Sequence, residues 1–283
     1  MNKSELTTCL DYIDKALAAG NGADTLEEFK KWLLSGTKET VKRAAKKKTF
    51  DIFACCYEDT KRSFICGVYH DNGKMVATNG NILAIVRADY DHEKEGKIIN
   101  RNGSKMAGTF PAYERVIPTK DQLSEPVNID IINIVKSGQE IVKAFKKMAG
   151  KSSLACVKIG SDYIAYEYAK ILADFAAAFE GVKICPNVKE GRALVAYTGS
   201  YEVPEAMLVI MPLSHDIIWC EYGGVYFPAC KKDFEESDIQ DLKKEFFKAD
   251  FYEREKNDTL TEKDKKQIAF FELAKDIALK VWR

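Results

Sequence analysis

Short apolar stretches with strand-like alternation follow one another between Phe50 and Arg87. Met75–Ala84, read MVATNGNILA, places apolar residues on both sides of an Asn-Gly-Asn turn. Gly and Asn tolerate the positive φ angles that tight turns need, so this stretch predicts a β-hairpin. The pieces DIFACCY, SFICGVY, KMVAT and ILAIVR between Phe50 and Arg87 extend the prediction to a meander of four antiparallel strands.

Helical periodicity marks both ends of the chain and two segments in its middle. Residues 1–48 read as helical, because apolar residues recur at three- and four-residue intervals. Further helices are predicted at Ile132–Met148, Ala169–Phe179, Phe234–Glu255 and Glu262–Trp282. Strands are predicted at Val127–Ile131, Leu154–Ile159, Tyr163–Tyr166, Val182–Cys185, Ala193–Tyr197, Met207–Met211 and Ile217–Phe227.

Two further stretches contain prolines at informative positions. Gly108–Pro118, read GTFPAYERVIP, has prolines that disfavour a helix and remove backbone donors, which predicts an extended connector between packed units. Met207–Leu213, read MLVIMPL, is an apolar run closed by Pro212, which predicts a buried strand that stops there.

Taken in order, these three stretches resemble the bacterial DNA polymerase III β sliding clamp family. In that family the turn reads close to VATDGHRLA, the connector close to GxFPDYRRVIP and the last strand close to VVMPM. The resemblance runs from about Thr37 to Leu213 and is most specific in the connector, where the matching residues are Phe110, Pro111, Tyr113, Arg115, Val116 and Pro118. The chain departs from the family at Asn79, Asn81 and Ile82, where the family has Asp, His and Arg.

The resemblance implies an α+β DNA-clamp fold, with repeated strand-helix-strands units and antiparallel sheets. It divides the chain into a helical N-terminal extension (1–36), a trimmed first clamp-like domain (37–118), a second clamp-like domain (119–213) and a mainly helical C-terminal extension (214–283). It also implies a hydrophobic groove for partner peptides, formed by Thr78, Gly80, Leu83, Pro111, Arg115, Val116, Val209, Met211 and Pro212. The alternative is that these residues only pack two domains together.

The 43 Lys and Arg residues balance the 43 Asp and Glu residues over the whole chain. Any attraction to nucleic acid must therefore come from local clusters of positive charge. The strongest positive cluster is TKETVKRAAKKK at Thr37–Lys48. Clamp helices carry Lys and Arg towards duplex phosphates, so the resemblance implies non-specific DNA binding by Lys38, Lys42, Arg43, Lys46, Lys47, Lys136, Lys143 and Lys147. The alternative for the cluster is a solvated helix end whose lysines complement the helix dipole.

The residue patterns do not favour catalysis. The three histidines lack the spacing of a metalloprotease, and the eight scattered cysteines lack a zinc-ribbon pattern, so we expect no enzyme and no cofactor. The compact group Asp89, Asp91, His92 and Glu93 reads as a charged surface loop, with a metal-dependent hydrolase as a third hypothesis. The sequence contains no apolar run of bilayer length and no signal-peptide core, which predicts a cytoplasmic protein.

Two functions therefore stay open. The first is a sliding-clamp-like processivity factor in DNA replication that binds double-stranded DNA and recruits a DNA polymerase, or other replication and repair proteins, through short peptide motifs. The second is a clamp-derived protein-interaction module that does not encircle DNA. If the protein is a sliding clamp, a ring of six domains, as in the family, would need a homo-oligomer of about three chains.

Overall fold

The computed structural model describes residues 49–57, 60–89, 91–149, 154–214, 216–229, 236–247, 249–257 and 259–281. The predicted N-terminal helices and the basic segment Thr37–Lys48 lie outside these residues. The described chain contains twelve strands, which are β1 Val68–His70, β2 Lys74–Thr78, β3 Ile82–Arg87, β4 Ile98–Ile99, β5 Lys105–Met106, β6 Cys156–Ile159, β7 Asp162–Ala165, β8 Lys183–Cys185, β9 Leu194–Gly199, β10 Pro204–Ile210, β11 Trp219–Tyr222 and β12 Val225–Pro228.

Five α-helices accompany these strands in the described residues. They are α1 Ile131–Ala149, α2 Tyr166–Ala178, α3 Glu236–Phe246, α4 Ala249–Lys256 and α5 Glu262–Val281. Short 3-10 helices lie at Ile52–Cys55, Thr60–Ile65, Tyr113–Val116 and Lys120–Gln122. None of the helices in this part of the chain is long and apolar enough to cross a membrane.

All strand pairs are antiparallel, and they form two sheets. The larger sheet has the order β5-β4-β1-β2-β3-β10-β9-β8, and the smaller has the order β11-β12-β6-β7. The β3–β10 ladder, in which Leu83 lies opposite Val209, joins two distant parts of the sequence in one sheet. Antiparallel sheets combined with segregated helices confirm the predicted α+β class.

The two faces of the larger sheet bury different side chains, because successive residues of a strand point to opposite faces. Ala77, Ala84 and Leu208 belong to the main core, which also contains side chains of α1, α2 and α5. Val76 and Leu83 alternate with them and belong to a second, smaller core that includes residues of the proline-bounded connector. The connector therefore lies on the face of the sheet opposite the helices.

Of the four predicted meander strands, one is replaced by a 3-10 helix and one is shorter than predicted. DIFACCY forms a 3-10 helix at Ile52–Cys55, because the Asp51 side chain accepts a hydrogen bond from the Phe53 amide at 3.2 Å and caps the turn. Ile52 and Cys55, three residues apart, then become its buried side. SFICGVY begins in a second 3-10 helix, which ends at Ile65, and ends in β1, to which it contributes Val68 and Tyr69.

The strand predicted at Val127–Ile131 is also absent from the described structure. Ser124 and Val127 donate backbone hydrogen bonds to Pro186 and Ile184, both at 2.8 Å, so this segment runs beside β8 without forming a ladder. Ile131 is already the first residue of α1. The segment nevertheless covers the outer edge of β8, which would otherwise present unpaired backbone groups.

The C-terminal part of the chain packs onto α1. The single helix predicted at Phe234–Glu255 is two helices, α3 and α4, and Phe247 between them stacks on Phe251 at 4.0 Å between ring centroids. Helix α5 confirms the predicted last helix and contacts α1 and β11. The Tyr222 hydroxyl donates to Asp276 on α5 at 2.6 Å, and this hydrogen bond, with burial, raises the pKa of Tyr222 to about 12.

The predicted division into domains stays a prediction. The larger sheet takes β1 to β5 from residues 37–118 and β8 to β10 from residues 119–213. The main core extends from Ile52 to Val281 and includes side chains from the C-terminal helices. The described parts of these three predicted segments therefore share one buried core.

Candidate partner-binding pocket

The Asn-Gly-Asn turn is organised by two short polar side chains. The Thr78 hydroxyl donates to the Ile82 carbonyl at 2.7 Å and accepts from the Gly80 amide at 3.0 Å. The Asn79 side-chain oxygen accepts from the amides of Asn81 and Ile82 at 2.9 and 3.1 Å. Gly80 has φ of +96°, which a side chain rarely allows, so the turn needs glycine at this position.

We expect Thr78→Val to destabilise the protein by about 1 to 2 kcal/mol. Valine has nearly the same shape, but it leaves the Gly80 amide without its hydroxyl acceptor in a site where Thr78 is only 9% exposed. Chemical denaturation followed by circular dichroism measures the change. Thr78→Ser keeps the hydroxyl and is the matched control, so equal losses for Val and Ser would contradict the assigned hydrogen bonds.

The connector crosses the sheet and is held there by aromatic side chains. Phe110 stacks on Tyr69 with ring centroids 5.0 Å apart. The Tyr113 hydroxyl donates to Asp71 at 2.6 Å, and burial together with this hydrogen bond raises the pKa of Tyr113. The Tyr201 hydroxyl donates to the Pro118 carbonyl at the end of the connector.

The prolines of the connector do not exclude all helical structure, which corrects one expectation. Tyr113–Val116 forms a 3-10 turn between Pro111 and Pro118. One turn is possible because neither proline has to donate a hydrogen bond within it. The turn presents Val116 on one side of the connector and buries Tyr113 against the sheet.

The three stretches that carry the resemblance meet at one place. Val209 of β10 lies opposite Leu83 of β3, and the Met211 amide donates to the Asn81 carbonyl of the turn at 2.8 Å. The connector closes a pocket of about 320 Å³ above them. The residues that line it are Arg62, Phe64, Ile65, Thr78, Gly80, Asn81, Ile82, Leu83, Pro111, Ala112, Tyr113, Val116, Val209 and Met211.

Seven of the nine residues predicted for the groove line this pocket. The two others are Arg115, which is exposed on the 3-10 turn, and Pro212, which follows Met211 and is half-buried. Neither lines the pocket. Sequence reasoning missed Phe64, which lies in a 3-10 helix where a strand was predicted. Gly108 of the connector, with φ of +122°, lies so close to Phe64 that a Cβ atom at this position would be only 3.0 Å from the Phe64 Cβ.

The pocket exposes apolar surface to solvent. Phe64, Val116 and Met211 are 39, 57 and 41% exposed, although each is a large apolar side chain. Most of the remaining lining is aliphatic or aromatic, and Arg62 is its only charged member among the described residues. A concave apolar surface of this volume fits a side chain supplied by another molecule.

The predicted DNA-binding lysines are found in different surroundings. Lys136 is exposed on α1, and Lys143 pairs with Glu140 at 3.5 Å. The Lys147 Nζ atom lies 3.7 Å from the centroid of the Phe246 ring of α3, and that of Lys143 lies 5.5 Å from the Phe270 ring of α5. The C-terminal helices therefore reach the lysine-bearing side of α1. Lys38, Lys42, Arg43, Lys46 and Lys47 lie outside the described residues.

The acidic loop and the thiols show no arrangement for metal chemistry in the part of the chain that the structure describes. No group of three or more His, Cys, Asp or Glu side chains there could hold a metal ion. Asp91 pairs with Lys94 at 2.7 Å. The described cysteines are unbridged, and burial raises the pKa of Cys56 to about 12, which disfavours a reactive thiolate.

Fold and pocket together define an α+β protein with an apolar recess beside the connector. Several solved structures of bacterial sliding clamps are similar to this chain at low sequence identity. The DNA polymerase III β subunit of Borrelia burgdorferi is 15% identical, with a TM-score of 0.41 over 60% of this chain and 63% of that chain. The sliding clamp of Bartonella birtlesii is 17% identical, with a TM-score of 0.40 over 59% of this chain and 64% of that one.

The DNA polymerase III β protein of Caulobacter crescentus is 14% identical, with a TM-score of 0.41 over 59% of this chain and 63% of that one. The chain thus spans less than two thirds of the length of these clamps. No protein-family model matches it, and no curated protein sequence matches it.

Proposed function

We propose that this protein recruits partner proteins by binding an apolar anchor of a short peptide segment in the pocket beside the connector. The observation that supports this most directly is the convergence of the turn, the connector and the end of β10 around one open apolar recess. Its walls are fixed by backbone ladders and by the Thr78 and Asn79 hydrogen bonds, so little ordering is needed on binding. Apolar walls containing Met also tolerate different anchor side chains.

The second part of the proposal is non-specific binding of double-stranded DNA, as in a processivity factor. It is supported by the basic segment Thr37–Lys48 and by the exposed Lys136 on α1. Partner recruitment would then concentrate a polymerase or another replication protein at its DNA substrate. Ring closure, a homo-oligomer, the absence of catalysis and a cytoplasmic location belong to the same proposal.

The alternative is a protein-interaction module that does not encircle DNA. One observation favours it: Lys147 and Lys143 lie over aromatic rings of α3 and α5, so the C-terminal helices occupy space that a duplex would need near α1. Both candidate functions use the pocket to bind a partner peptide. They differ in whether the lysines of α1 bind duplex DNA. Peptide binding and duplex binding must therefore be measured separately.

Methyl NMR of the methionines tests the peptide-binding proposal directly. The chain has six methionines, and Met211 lines the pocket. Titration of ¹³C-methyl-methionine protein with N-acetyl-Leu-Phe-amide should shift the Met211 methyl signal, which Met211→Leu identifies by its loss. The Met106 methyl, on the short strand β5, serves as an internal control. An unmoved Met211 signal at millimolar probe would refute the proposal.

A further inference from the structure

A second recess lies on the same face of the larger sheet, on the other side of the connector. Its volume is about 520 Å³, and Tyr113 lines both it and the pocket described above. Its apolar lining includes Ile85, Met207 and Ile117, of which Ile85 and Met207 form the nearly buried floor. Val203 at its rim is 59% exposed. The connector thus separates two recesses, and each contains apolar surface.

The rim of this second recess carries two cations that face each other. Lys74 of β2 and Arg87 of β3 are register partners, both line the recess and both are exposed. Like charges directly opposite each other in an antiparallel ladder repel. Neither forms an ion pair with any residue that the structure describes, so their charges are left for an external anion.

The remaining charges at the rim do not cancel this pair. Lys120 and Glu202 pair with each other at 3.6 Å. Glu114 also lines the recess, but it lies on the connector and makes no ion pair with Lys74 or Arg87. The end of the recess at β2 and β3 is therefore positive, while its interior is apolar.

We propose that this second recess binds a segment of a partner protein in which an acidic residue adjoins an apolar one. The apolar side chain would contact Ile85 and Met207, and the carboxylate would pair with Lys74 and Arg87. The inference rests on the proposed function, because it adds a second contact point for the same kind of partner. A nucleic-acid backbone fits less well, because the apolar interior offers nothing to a phosphate group.

The experiment uses the full chain and two probes that differ only in charge. N-acetyl-Asp-Leu-amide and N-acetyl-Asn-Leu-amide are titrated into ¹³C-methyl-methionine protein, with Met207 as the reporter of the second recess and Met211 as the reporter of the first. We expect the Asp probe to shift the Met207 methyl and to bind roughly fivefold tighter than the Asn probe, as a partly exposed ion pair would give.

Variants separate this inference from the proposed function. Lys74→Gln with Arg87→Gln should remove the preference for Asp and leave the response of Met211 to N-acetyl-Leu-Phe-amide unchanged. Lys105→Gln with Arg192→Gln, two exposed cations elsewhere, is the matched control and should keep the preference.

Four outcomes would overturn the inference. Equal binding of the Asp and Asn probes, or an unmoved Met207 with a responding Met211, would leave the proposed function intact and remove this second site. A Met207 shift produced by duplex DNA and not by the Asp probe would show that the recess binds phosphate groups of DNA and not an acidic peptide segment. If neither methionine responds to any probe, the proposed function fails and this inference fails with it.

Discussion

Replacing Val116 by Asp should weaken binding of the N-acetyl-Leu-Phe-amide probe by roughly 10- to 100-fold. Val116 lines the pocket and is 57% exposed, so the substitution places a carboxylate at the mouth of an apolar recess without removing a core side chain. An anchor that enters the pocket would have to displace water from that carboxylate. The Met211 methyl shift at increasing probe concentration measures the loss.

Val188 provides a matched control for this variant. It is 59% exposed and does not line the pocket, so Val188→Asp introduces the same charge at nearly the same exposure. We expect Val188→Asp to bind the probe as the unmodified protein does, and both variants to keep their thermal unfolding midpoints. Equal weakening by both substitutions would show that charge in general, and not the pocket, governs the result.

Raising the salt concentration from about 50 to about 200 mM should weaken duplex binding roughly 500-fold if about five of the predicted cations contact phosphates. Each contact releases condensed counterions from the duplex, so the slope of log affinity against log salt reports the number of contacts. Fluorescence anisotropy with a labelled duplex of arbitrary sequence measures this slope. A salt-insensitive interaction, or none, would favour the protein-interaction module.

Charge reversal should locate these contacts. Changing Lys136, Lys143 and Lys147 to Glu should abolish duplex binding. If binding persists, the slope of log affinity against log salt should become shallower by the amount that about three phosphate contacts contribute. The control changes three exposed lysines elsewhere, Lys105, Lys158 and Lys189, to Glu. If the control weakens duplex binding as much as the α1 variant does, the cations of α1 do not form a specific duplex-binding surface. A parallel series at Lys42, Arg43 and Lys46 tests the N-terminal cluster in the same way.

Local patterns predicted the parts of the fold whose hydrogen bonds are short in sequence. The hairpin formed by β2 and β3 follows from the Asn-Gly-Asn turn, which Thr78 and Asn79 complete through bonds to residues no more than four positions away. Helix α1 follows from its apolar periodicity. Because the interactions that define these elements are local, the elements can be identified from the sequence alone.

Features that depend on distant partners were not visible in the residue pattern. DIFACCY is a local exception: it has the apolar density of a strand, but the Asp51 side chain caps the turn through the Phe53 amide two residues later and makes it a 3-10 helix. Phe64 lines the pocket and lies close to Gly108 of the connector, which is far from it in sequence. The contacts of Lys147 with Phe246 likewise depend on how the C-terminal helices pack, which their periodicity does not specify. The groove residues were named through the resemblance, because pairing of β3 with β10 leaves no local signal.

The pairing of β3 with β10 also determines at what stage of protein synthesis the pocket can form. Leu83 and Val209 are neighbours in the ladder although most of the described chain lies between them in sequence. Closing so long a loop costs conformational entropy before the contacts between the strands can form and offset that cost. Such long-range pairings therefore form slowly. During synthesis, a partially made chain would hold the turn and the connector but not the wall contributed by β10. The proposed partner binding would thereby be restricted to chains that have been translated and folded through β10.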